Sequence, residues 1–430
     1  MKEFVLQHIW QYRLFVSHEQ YSTDGQKVEV IHPGKPNRNA GPDFFNAKVK
    51  IGNTLWAGNV EIHLKSSDWF MHQHQHDSAY VNVILHVVLE ADVPVYRSGG
   101  REIPQLVLQY PSGIDAEFVK LMEKREWISC ANHLHDFPGL MLTSWKDSLL
   151  MEKLSRKVDE IRCKLKANCN FKDEVMFILL CRSFGFSVNG DAFEALALSV
   201  PWAVLQKCRP NRNVLEALLF GQSGWLSRNS YDDDYVHELK NEYAFLQRKF
   251  KLQPIAPERW KLLRMRPCNF PHIRISQLAD LIQRYDRLTL QLTDVPDLKI
   301  LKNLLKISAN DYWKNHYVFG VEGAKRSVTI GISAVHNLII NAVIPMMYAR
   351  GTSAMDDSLR EKALSFLAGL PAEENHIIQR WRAHGLKVQH AADSQALIHL
   401  YKHYCDERNC LRCRIGHQLL SRRAKDLTCK

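Results

Sequence analysis

The 430-residue chain contains no run of about 18 uncharged apolar residues, so no segment is expected to span a membrane. It has no Walker A loop, no glycine-rich dinucleotide fingerprint and no nucleophile elbow. Those absences remove P-loop nucleotide hydrolysis, Rossmann-type cofactor binding and α/β-hydrolase chemistry from the expected functions. Low-complexity segments and a clean internal period are also missing, which argues against a regular helical repeat. The stretch Met1 to Trp10 carries Glu3 and His8 where a signal peptide needs an apolar run. Without an export signal, the ten cysteines are expected as reduced thiols in a cytoplasmic protein, not as a disulfide framework.

What is present is an ordinary globular composition, 46% hydrophobic and 24% charged. At roughly 100–200 residues per domain this is enough for two or three domains. The net charge of +11, with a pI near 9.1, favours a polyanionic partner, nucleic acid first.

Residues 1–125 carry strand patterns. An N-terminal helix has Val5, Leu6, Ile9, Trp10 and Leu14 on or near one face. Val28–Ile31 is a short β-like run. Phe44–Ile51 and Leu55–Lys65 flank the turn signal Gly52-Asn53 and predict a hairpin. Tyr80–Leu89 is apolar on both faces, as a central strand would be. Ile103–Leu108 adds a shorter strand, and Ser66–Ala79 has room for one or two helical turns. The order predicts an α/β or α+β domain with a mixed sheet. From residue 126 to 430 the pattern is helical, with proline-containing connections at 252–271 as a candidate division and a basic Cys/His-containing tail.

The chemistry concentrates in the first domain. Gly41-Pro42-Asp43 precedes one hairpin strand, and Glu61-Ile-His63-Leu-Lys65 lies in the other. Side chains alternate along a strand, so Glu61, His63 and Lys65 share a face, and Asp43 can reach it. Two converging carboxylates offer hard oxygen ligands to Mg²⁺ or Mn²⁺. Such an ion lowers the pKa of water and neutralises charge in phosphodiester hydrolysis. A histidine run follows, with His72, His74, His76 and Asp77 as accessory groups. If it is helical, His72 and His76 share a face with Asp68; if extended, His72, His74 and His76 align. His86, among Val, Ile and Leu, is expected to be a core histidine with a hydrogen-bond partner.

Near the C-terminus, Cys405, Cys410, Cys413 and His417 fall within 13 residues and make a candidate Cys₃His zinc site. An iron–sulfur cluster would need a fourth cysteine, and only the distant Cys429 follows. Residues 401–430 hold eight Lys or Arg against three Asp or Glu, a candidate phosphate-contacting surface. Arg259–Arg274 contains five Lys or Arg and no acid. Arg264, Arg266 and Arg274, with Trp260 and Phe270 between or beside them, suggest a nucleic-acid-binding surface.

Two resemblances follow from these residues. The Asp43…Glu61-x-His63-x-Lys65 arrangement resembles the PD-(D/E)XK nuclease superfamily, which has an αβββαβ core. There the Asp starts the second core strand and the Glu-x-Lys lies in the third. His63 occupies the Lys position in this chain, and Lys65 follows two residues on. The resemblance implies a metal-dependent nuclease in which Asp43 and Glu61 hold the metal, Lys65 is the electrostatic partner and His63 a modulator. An acidic residue of the first helix sometimes joins such sites, with Glu3 and Glu19 the nearest here. A non-catalytic nucleic-acid-binding or scaffold protein on a degenerate fold of this kind is the rival expectation. The whole chain also resembles the bacterial family called domain of unknown function 2851. The matching stretches include Asn39–Phe44, Gly58–His63, Ser67–Trp69, Leu85–Val88, Arg264–Pro267, Ala392–Gln395 and Cys410–Cys413.

Overall fold

The computed structural model describes residues 3–15, 20–37, 40–97, 100–110, 127–168, 171–227, 233–263 and 265–419. The chain forms two compact units. The first combines Met1–Met141 with Leu400–Lys430; the second is Leu142–His399. The helical residues are therefore not one block after the sheet domain, because the chain returns to the first unit at Leu400. Residues 252–271 lie inside the second unit and do not divide it.

The first unit is built on a mixed sheet. Its strands are β1 (Gln20–Tyr21), β2 (Lys27–His32), β3 (Lys35–Pro36), β4 (Phe44–Ile51), β5 (Thr54–Lys65), β6 (Val83–Glu90) and β7 (Gln105–Val107). They run in the order β1-β2-β4-β5-β6-β7, with β3 pairing to β4. The hairpin β4–β5 closes with Ile51 opposite Thr54. In β4, Phe44, Ala47, Val49 and Ile51 are buried while Lys48 and Lys50 face solvent, so the period of two in the sequence sets one face inward. Every residue from Val83 to Val88 in β6 is buried, as befits a strand with parallel neighbours on both sides. Gly58 permits the close crossing of β5 and β6. A β-carbon there would lie 2.3 Å from Ile84 Cγ2 and 2.7 Å from the Asn82 carbonyl oxygen.

Parallel strands need a crossover. The β5–β6 crossover holds helix α2 (Asp68–Met71) and two short 3₁₀ turns, His74–His76 and Ser78–Tyr80. It is pinned by Trp69 and Tyr80, both buried. Helix α1 (Glu3–Gln11) buries Val5, Leu6, Ile9 and Trp10. The Trp10 indole N–H donates to the Pro33 carbonyl at 2.9 Å.

The second unit is helical apart from a short ribbon, His316–Val318 with Val321–Glu322. An apolar helical run extends from Ile332 to Ala354, past Pro345. The continuation goes through a π turn at Ile339–Val343. Such a wide turn accommodates the carbonyls left without a donor ahead of a proline. By length and composition this helix is apolar enough to cross a membrane, but 72% of its apolar window is buried within the protein. The half-buried Asn337 and Asn341 form a polar network on it. Asn341 donates to Asn337 Oδ1 at 2.9 Å, and Asn337 donates to the Ser183 carbonyl at 2.7 Å.

Candidate functional site

Asp43 and Glu61 clamp each other across the hairpin. The Asp43 backbone N–H donates to Glu61 Oε2 at 3.0 Å, and the Ile62 N–H donates to Asp43 Oδ2 at 3.0 Å. Gly41, at φ +104°, takes the left-handed turn that leads into Asp43. From α1, Gln7 Nε2 donates to Asp43 Oδ1 at 2.8 Å. The two carboxylates predicted to converge are thus held together by strand backbone and by one helix.

Histidines surround the other oxygen of Glu61. His63 Nε2 lies 3.4 Å from Glu61 Oε1, and His74 Nε2 lies 3.3 Å from the same atom. His72 Nδ1 is 3.2 Å from His63 Nε2. Among the described residues, His63, His72 and His74 are the group whose ligand atoms all lie within 4.8 Å of one another. A strand period would align His72, His74 and His76 alike, whereas the exposed His76 stays outside the group. Gln73 adopts φ +60° between the end of α2 and the 3₁₀ turn, and that reversal brings both rings over β5. The His74 ring is sandwiched between Tyr80 at 3.8 Å and His63 at 5.3 Å. Its Nε2 is buried without hydrogen-bond geometry to any partner.

His86 is the core histidine the sequence predicts, and its partner is His63. Its Nε2 lies 2.9 Å from His63 Nδ1. If His63 donates its Nδ1 proton there, its Nε2 carries a lone pair toward Glu61 and His72. Outer contacts of this type fix the tautomer and ring angle of metal-binding histidines.

Burial sets the electrostatics. It pushes the Asp43 carboxyl well above the usual carboxylate range, and Glu61 and Glu3 nearby push it further. The Glu61 carboxyl is raised by burial and by Glu3, against the hydrogen bond from Asp43. Burial lowers His63, with His86, His74 and His72 adding to the effect. Burial also holds His86 at about 3. Burial thus favours neutral imidazoles at His63, His74 and His86 and retained protons at Asp43 and Glu61.

The spacing of the donor atoms suits a metal. Four tetrahedral ligands at zinc–nitrogen distances of about 2.0–2.1 Å stand about 3.3 Å apart. Three of the separations, His72–His63, His74–Glu61 and His63–Glu61, are 3.2, 3.3 and 3.4 Å, and the three imidazole donors lie within 4.8 Å of one another. Three imidazoles with a carboxylate suit a first-row transition ion better than Mg²⁺.

Other predicted residues are placed differently. The Lys65 ammonium is exposed and pairs with Glu90 Oε2 at 3.1 Å, because β5 runs out into solvent at that end. His76 is exposed. The Asp77 carboxylate accepts from the Ala79 N–H at 2.8 Å and caps a turn. Cys405, Cys410 and Cys413 line one cavity, whereas the His417 ring packs 4.1 Å from Tyr12. Glu19, Arg264 and Cys429 lie outside the described residues. Glu3 and Gln7, one helical turn apart on α1, both serve the site. Their i, i+4 spacing was the available signal for Gln7.

Arg274 corrects the expected nucleic-acid surface. It is 3% exposed, donates to Gln277 Oε1 at 2.8 Å and Asn269 Oδ1 at 2.6 Å, and lies over the Phe186 ring. Trp260 is also buried, its N–H donating to the Ser223 carbonyl. Of this group, Arg266 faces solvent. Arg274→Ala is expected to destabilise the protein by about 2–3 kcal/mol through the unpaired amides it leaves. Denaturant unfolding measures that loss, and an unchanged midpoint would contradict the buried assignment.

Fold and site together define a two-unit protein with a carboxylate–imidazole centre on a mixed α/β sheet. A family model matches residues 3–376, and the chain belongs to that family, described as protein of unknown function (DUF2851). No curated protein and no solved structure matches the chain.

Proposed function

We propose that the protein is a metal-dependent phosphodiesterase acting on nucleic acid. The observation that carries this is Glu61 Oε1, which faces His63 and His74 at 3.4 and 3.3 Å beside Asp43. His63, His72, His74 and Glu61 would hold the ion, and the donor set favours Zn²⁺ or Mn²⁺ over Mg²⁺. When bound, such an ion polarises a phosphoryl oxygen and lowers the pKa of water. His86 keeps the His63 lone pair turned inward. Once the ion has displaced the protons that burial retains on the carboxyl pair, Asp43, oriented by Gln7 and the Ile62 amide, would accept a proton from the attacking water. His72, exposed where His63 is buried, marks the side from which a phosphodiester would approach. The net charge of +11 favours a polyanionic substrate.

Labelled single- and double-stranded DNA and RNA, incubated with the protein and Zn²⁺, Mn²⁺ or Mg²⁺, test the proposal. Cleavage is expected with Zn²⁺ or Mn²⁺ and is expected to disappear in the Asp43→Ala, Glu61→Ala double variant. Metal-dependent cleavage that survives in that variant would sink the assignment. Salt-sensitive binding without cleavage would establish the non-catalytic rival, which the placement of Lys65 away from the carboxylates favours.

A further inference from the structure

The cysteines of the C-terminal segment have a fourth companion that their spacing does not reveal. Cys130 lies 275 positions before Cys405 in sequence. It nevertheless lines the same cavity as Cys405, Cys410 and Cys413. The other walls of the cavity include Ile128 and Tyr404. All four cysteines belong to the first unit. No disulfide links them.

Several features hold this pocket in shape. Cys410 and Cys413 flank a 3₁₀ turn, Cys410–Arg412. Gly416 lets the following turn approach that loop, since a β-carbon there would lie 2.1 Å from the Cys410 carbonyl oxygen. Ser129 hydrogen-bonds Cys410. The rings of Trp127 and Tyr401, from the same two segments, stack at 5.0 Å. Burial raises the Cys405 thiol well above its ordinary pKa, and Cys413, Cys130 and Cys410 add to the rise. Four thiols facing one another in an apolar pocket give up their protons readily only to a cationic centre.

We propose that Cys130, Cys405, Cys410 and Cys413 ligate a four-iron, four-sulfide cluster. The spacing distinguishes this from zinc. A tetrahedral Zn²⁺ with Zn–S bonds of about 2.3 Å holds its sulfurs about 3.8 Å apart. Among the described residues, the histidine trio is the group of three ligands mutually within 4.8 Å, so no three of these sulfurs are that close. A cubane binds each cysteine to a different iron and spreads the sulfurs wider. Cys130 supplies the fourth thiolate, and His417, engaged with Tyr12 and His8, is not a ligand. The cluster would fasten the segment around residue 130 to the segment that re-enters the first unit at Leu400. It involves none of the residues of the hydrolytic site, so either assignment can fail without the other.

The test is anaerobic reconstitution of the full chain with ferric chloride, sulfide and dithiothreitol. Iron and sulfide assays, with EPR after reduction, follow. About four irons and four sulfides per chain are expected. Cys130→Ser should lose most of this iron, and His417→Ala should retain it. One zinc ion per chain bound at these thiols with no cluster formed, or equal iron in the Cys130→Ser variant, would overturn the proposal. Alkylation of the wild-type protein under native conditions covers the case of a variant that does not fold. After reconstitution the four cysteines should be shielded while the exposed Cys163 and Cys268 react. Labelling of the four as fast as those two would overturn it as well.

Discussion

Replacing Glu61 by glutamine is expected to weaken Zn²⁺ or Mn²⁺ binding by about a hundredfold or more, and to abolish phosphodiester cleavage with it. The amide fits the same space and can still accept the Asp43 N–H at its carbonyl oxygen, so packing is retained. What goes is the group that, once the ion displaces its proton, supplies a carboxylate charge facing His63 and His74 at 3.4 and 3.3 Å. Two companions grade the effect. His74→Ala removes a proposed ligand and should act as strongly. His86→Ala removes only the group that orients His63 across 2.9 Å, and should cost about ten- to a hundredfold. Isothermal titration with the ion measures all three. A Glu61→Gln protein that binds the ion as tightly as wild type would remove Glu61 from the coordination sphere.

The second large effect is on stability against pH in metal-free protein. Asp43 and Glu61 keep protons when folded up to about pH 8, whereas in the unfolded chain they ionise near 4. Over that interval the unfolded state binds fewer protons, so these groups make stability fall as pH rises. The slope is about 1.4 kcal/mol per pH unit for each proton retained. His63 and His86 act in the opposite sense. They stay neutral in the fold below their ordinary value of 6.5, so acid destabilises the protein through them. The two pairs offset each other between about pH 4.5 and 6.5, so the metal-free protein should be most stable in that interval and lose stability toward pH 8. Saturating metal should abolish the alkaline loss, because the ion replaces the retained protons. Urea midpoints at pH 6.5 and 8, with and without metal, measure this. A metal-free midpoint that rises between those pH values would contradict the buried carboxyl pair.

The sequence carried the parts of this site that depend on strand geometry. A period of two and a two-residue turn signal were enough to put Glu61 and His63 on one face with Asp43 in reach. They could not show that Lys65 lies at the exposed end of β5, where its ammonium turns to Glu90. The histidine run follows neither period throughout: His72 and His74 come together as in an extended run, but His76 does not join them, because the chain turns at the left-handed Gln73. Arg274 looked like a surface cation because charge is legible in a sequence and burial of a paired charge is not. Cys130 had no local signal at all, since only the tertiary fold brings it to Cys405. The continuation of the apolar helix past Pro345 depended on a π turn that composition does not announce.

The insertion of Leu142–His399 between two parts of the first unit has a consequence for biosynthesis. A ribosome that has released the sheet strands has not yet made the partners of Tyr12, Trp127 and Cys130. Those partners, His417, Tyr401 and the three later cysteines, emerge only after the whole helical unit. Since domains generally fold as units while the chain emerges, the helical insert can complete its core first, and the unit that begins the polypeptide is the last to be sealed. A message broken anywhere within residues 142–399 would then yield a sheet domain lacking its closing segment, open to proteolysis despite an intact N-terminal sequence.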